Sequence, residues 1–190
     1  MKTLRLRLCL LAGAELNLGE VQSLKRLLGA LGIDERFAER IAERLLAELK
    51  ASTTQPAIGL AFVDDLLQVG LESQQSQRLR GFVTILPEPT PLNVNTAPAE
   101  VLAARIPSLE LVDARRFVSA RDRAYFKDLG DAMQRLREVN PRITDVGLAV
   151  ATRYFSVEGT VSYGPARLAA RALVRRDPGR LEVLWTKEMG

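Results

Sequence analysis

Near residue 150 the spacing of apolar residues changes from helical to alternating, and no other feature constrains the fold of this chain as much. Phe155, Val157, Gly159 and Val161 alternate with Ser156, Glu158 and Thr160. Leu168, Ala170, Ala172 and Val174 alternate with Arg167, Ala169 and Arg171, and Leu181, Val183 and Trp185 with Glu182, Leu184 and Thr186. A period of two places each set on one face of a strand. The stretches SYGP and DPG between the runs are turn formers. The pattern predicts a three-stranded antiparallel meander with one face on a core. At the other end, Leu4, Leu6 and Leu8 alternate with Arg5, Arg7 and Cys9, which predicts an early strand expected to share one sheet with the late three.

Between these ends the period is helical. Val21, Leu24, Leu27, Leu28 and Leu31 form one stripe, which Gly32 should stop. Asp34 can start a second helix carrying Phe37, Ala38, Ile41, Ala42, Leu45 and Leu49. After the polar loop KASTTQPAIG, a short helix is expected through Leu66, Leu67 and Val69, ended by Gly70, and another from Ser73 to Val83. The stretch LPEPTP cannot be helical and marks a boundary near residue 88. A second helical unit then opens at LNVNTAPAEVL. Asn95 or Thr96 can cap its first helix through a side-chain oxygen, with Pro98 just inside. Val101, Leu102 and Ile106 supply the apolar stripe. Asn93 belongs to the same lead-in. Two further helices carry Leu111, Ala114 and Val118, then Met133, Leu136 and Val139, and Asn140-Pro141 ends the block. Strand, helices and strands in this order describe an α+β protein with an inserted helical block.

Composition removes several chemistries. The 190 residues include no His and one Cys, which excludes an internal disulfide, Cys-rich zinc sites and Ser-His or Cys-His nucleophile pairs. Asp64-Asp65 and Asp34-Glu35 are adjacent in sequence, so their side chains diverge on a helix and suit helix N-termini better than acid–base work. No phosphate loop or dinucleotide fingerprint is present. No catalytic, cofactor-binding or metal-binding residue is assigned. The opening MKTLRLRLCLLAGA has an apolar core of about six residues, short for a signal peptide, and no run reaches the roughly 20 apolar residues that span a bilayer.

With a net charge of +4 and helix-hairpin-helix patterning, nucleic-acid binding is the alternative to a protein-packing role. A DNA-gripping hairpin presents a Gly-x-Gly turn whose N–H groups bind phosphate. The turns here read LGID and IPSLEL, and both carry acids where phosphate would approach. Arg115, Arg116, Arg121 and Arg123 are the residues that keep the DNA alternative open.

LNVNTAPAEVLAARIPSL resembles the second helical repeat of the type II secretion system protein K family of minor pseudopilins. AELNLGEVQSLKRLLGALGID is similar to the family's first repeat, and YFSVEGTV, ALVRR and LEVLWTKE resemble its closing strands. The resemblance implies a pseudopilin-like α/β domain formed by residues 1–16 and 147–190. Into it would be inserted two helix-hairpin, SAM-like repeats, residues 17–88 and 89–146. Asn93, Asn95, Thr96, Pro98 and Leu102 are then structural motif residues. The implied role is non-enzymatic: a structural tip subunit of the secretion pseudopilus, partnered by the minor pseudopilins I and J and by secreted substrate proteins. The implied location is the periplasmic side of a Gram-negative inner membrane, with a hydrophobic N-terminal helix as the only membrane contact. No such helix occurs in these 190 residues, which implies a shortened chain or a late start. The family's acidic run linked to calcium corresponds here to LAELKASTTQPAIGLAFVDD, which lacks the acid cluster that a six-oxygen cation needs, so no cofactor is expected. Partner contacts are expected from Leu4 to Leu10, from the helix surface near Val21 and from the late meander, and not from Arg116.

Overall fold

The computed structural model describes residues 6–8, 11–12, 15–51, 70–86, 88–144, 147–164 and 166–189. The elements are β1 (Leu6–Leu8), β2 (Leu11–Ala12), β3 (Glu15–Leu16), α1 (Leu18–Ala30), α2 (Arg36–Ala51), α3 (Ser73–Arg80), β4 (Val83–Ile85), β5 (Leu92–Asn93), α4 (Ala99–Arg105), α5 (Leu111–Arg123), α6 (Leu129–Val139), β6 (Leu148–Ala149), β7 (Tyr154–Tyr163), β8 (Ala166–Asp177) and β9 (Arg180–Met189). They divide into two compact units, Arg5–Val150 and Ala151–Gly190.

The first unit is mainly helical. Asn17 caps α1, its Oδ1 accepting the Glu20 N–H at 3.3 Å. At the other end, Gly32 takes φ +68°, a left-handed conformation that favours glycine. The Ile33 N–H donates to Leu28 O, and Gly32 N–H to Gly29 O, so two orphan carbonyls of the last turn are satisfied. The predicted stripe is buried: Val21, Leu24, Leu27 and Leu28 join one core with Ile41, Val101, Leu102, Phe117 and Leu136. Helix α1 packs on both α2 and α4, and α5 packs on α4. Asp34 Oδ1 accepts the Arg36 N–H at 2.9 Å as α2 begins. The helix expected through Leu66, Leu67 and Val69 lies outside the described residues, as do the side chains of Leu45 and Leu49.

Two sequence expectations are corrected here. The helix predicted over Ser73–Val83 ends at Arg80 with Gly81 as its C-cap, and Val83 enters β4. Among the described residues the early strand is paired elsewhere than expected: β1 runs parallel to β4, Leu6 opposite Val83 and Leu8 opposite Ile85. A three-residue strand carries too little pattern to specify its partner. A second parallel pair joins β5 to β6, Leu92 opposite Leu148 and Asn93 opposite Ala149.

The second unit is the predicted meander, with strand order β7-β8-β9. Gly179 takes φ +72° in the DPG turn. Opposed pairs include Val161–Leu168, Val157–Ala172 and Phe155–Val174. Tyr154, Leu173 and Val174 are buried. The expectation that the other apolar set would all rest on a core is not met: Val157, Val161, Leu168, Leu181 and Val183 are exposed large apolar residues. Trp185 is also displaced from the predicted face. Leu173 faces Trp185 while Val174 faces Val183, so Leu184 is an extra residue that breaks the alternation, as a bulge does.

Candidate functional site

Residues 92–150 contain the most distinctive motif, and their local chemistry begins at Asn93. Its Oδ1 accepts the Asn95 N–H at 2.9 Å, a local turn of the kind Asn readily forms. Its backbone oxygen accepts the Thr96 and Ala97 N–H groups and, more distantly at 3.4 Å, the Thr96 hydroxyl. Asn93 is buried, and the turn reverses the chain between β5 and α4.

Asn95 then ties distant segments together. Its Nδ2 donates to Phe126 O at 2.8 Å and Val150 O at 3.3 Å, while its Oδ1 accepts the Phe126 N–H at 2.8 Å. The amide offers a donor group and an acceptor on one side chain, and here both answer the backbone of Phe126. The capping expectation is therefore corrected. The N-cap of α4 is Pro98, with φ −64° and ψ 160°, and no side chain caps it. Asn95 and Thr96 lie too early, and Pro98 sits at the boundary instead of inside. Leu102 is in the core as expected, fully buried.

Sequence reading missed two members of this arrangement. Arg121 extends from α5 and donates through Nη1 to Ala97 O at 2.6 Å and Val94 O at 3.3 Å, with its side chain 12% exposed. Phe126, anchored by Asn95, stacks on Phe117 at a centroid distance of 4.6 Å. Neither carries a local signal, because both partners are remote in sequence.

Asn95→Ala is expected to cost about 2 kcal/mol, because it leaves the Phe126 N–H and its neighbouring carbonyls without their partner. Thr96→Ala should cost only about 0.5 kcal/mol, below the roughly 1 kcal/mol of a true N-cap. Urea unfolding of the two variants checks the order; equal losses would restore Thr96 as a cap.

Three of the four arginines that keep DNA binding open are engaged within the protein. Arg121 holds the turn, Arg116 pairs with Asp113 at 3.3 Å, and Arg115 lies 4.0 Å from Glu100. At the LGID turn, Arg36 hydrogen-bonds Asp34 and holds its exposed carboxyl below the usual carboxylate range. Exposed pairs like these contribute little to stability, but they intersperse the signs of charge instead of building a basic stripe. Among the described residues no three His, Cys, Asp or Glu side chains gather as metal ligands; Asp64 and Asp65 lie outside those residues. No helix among the described residues is long and apolar enough to cross a membrane.

One comparison with known proteins falls on the same segment, and two others extend over most of the chain. Residues 92–152 match the family model for type II secretion system protein K. The chain is 32% identical to type II secretion system protein K of Pseudomonas aeruginosa, over 90% of this chain and 57% of that protein. It therefore spans somewhat more than half the length of that curated relative. Its fold matches a chain in the crystal structure of the GspK-GspI-GspJ complex from the enterotoxigenic Escherichia coli type 2 secretion system. There the TM-score is 0.64 at 19% identity, covering 95% of this chain and 72% of the other. Over residues 92–152, and at 32% identity over most of its length, the chain is thus similar in sequence to type II secretion system protein K, and its fold agrees with that likeness.

Proposed function

We propose that this chain is the folded part of a minor pseudopilin, a non-enzymatic structural subunit at the tip of the type II secretion pseudopilus that acts in protein export. The observation carrying this reading is the segment 92–152, which matches the family model and whose polar side chains Asn93, Asn95 and Arg121 bind the protein's own backbone. On the same reading, residues 1–16 and 147–190 form the pseudopilin-like domain, and residues 17–88 and 89–146 are two inserted SAM-like helical repeats. The protein would act on the periplasmic side of the inner membrane, held there by the family's N-terminal helix, and would need no cofactor. No observation favours the nucleic-acid alternative.

The partners on this reading are the minor pseudopilins I and J, supported by the similar fold found in a GspK-GspI-GspJ complex. The expected docking surface includes the helix surface near Val21: Val21 itself is buried, while Leu18 beside it on α1 is exposed. Leu4, Cys9 and Leu10 lie outside the described residues.

Size-exclusion co-elution with purified I and J domains tests the proposal. The wild-type chain should travel with both, and Arg116→Glu should do so equally, because Arg116 is exposed and its salt bridge is to its neighbour Asp113 on the same helix. Failure of the wild-type chain to co-elute, together with a duplex-DNA complex that survives at about physiological salt, would overturn it.

A further inference from the structure

No further inference is drawn: the strongest candidate, the exposed apolar face of the three-stranded sheet carrying Val157, Val161, Leu168, Leu181 and Val183, has nothing in the structure to show what covers it.

Discussion

Phe117→Ala should lower the unfolding free energy of the helical unit by about 3–5 kcal/mol, the usual range for emptying a buried aromatic position. Phe117 is 1% exposed, in the middle of α5, and its ring stacks on Phe126. Truncation removes both the buried area and the ring against which Phe126 rests. Phe126 is in turn the residue whose N–H and carbonyl Asn95 holds. The losses from Phe117→Ala and Asn95→Ala should therefore not add, because the two side chains share one neighbour. Urea denaturation of both single variants and the double variant measures this. Strict additivity would show that the ring and the amide act independently.

Arg105→Ala should be comparably damaging, by about 3–5 kcal/mol at neutral pH, as expected when a buried charge loses its partner. Arg105, the last residue of α4, donates to Glu20 in the first turn of α1. Glu20 is buried, and its second carboxylate oxygen has no hydrogen-bond partner. Burial raises the Glu20 pKa above its ordinary value of 4.5, and the Arg105 charge and hydrogen bond offset that rise only in part. A carboxyl with a raised folded-state pKa contributes stability below 4.5 that is lost as pH climbs through the folded value. The ionised form is thus the costly one, and removing Arg105 raises the folded pKa further. The deficit of Arg105→Ala should shrink as pH falls from neutral toward the ordinary carboxyl range, since protonation of Glu20 removes the uncompensated charge. A deficit constant over that interval would show that Arg105 acts by packing its stem and not by balancing Glu20.

The helices were legible because their information is local. Leu24, Leu27 and Leu28 announce α1 by their spacing, and Asn17 and Gly32 fit its ends. The long meander strands were equally plain, since an alternation sustained along β7 leaves little choice of structure, although the extra residue Leu184 in β9 was not announced by its pattern. What failed was either short or remote. Leu6–Leu8 gives a period but no address, and its partner Val83–Ile85 lies far away in sequence. The NVNT stretch was read as a cap because Asn and Thr serve turns and caps through the same side-chain oxygens. Only the position of Phe126 decides that Asn95 reaches across 31 residues instead of into α4. Arg121 read as a surface cation for the same reason: its acceptors at Val94 and Ala97 are invisible until α5 lies beside the turn. The resemblance of LNVNTAPAEVL to a family was legible without any of this geometry.

The parallel pairing of β5 with β6 has a mechanical consequence. The Leu92 N–H donates to Gly147 O and the Val94 N–H to Ala149 O, each at 2.8 Å. The chain enters this small clasp at the start of one strand and leaves at the end of the other, which runs the same way. Tension applied at residues 91 and 150 therefore pulls the two strands past each other along their length. These hydrogen bonds bear the load together, in shear, whereas two strands of a hairpin pulled at adjacent ends would unzip one bond at a time. Forced opening is governed by the barrier and not by the equilibrium stability. A load on the chain would then be borne by the backbone at the base of the segment, leaving the helices between residues 99 and 139 slack.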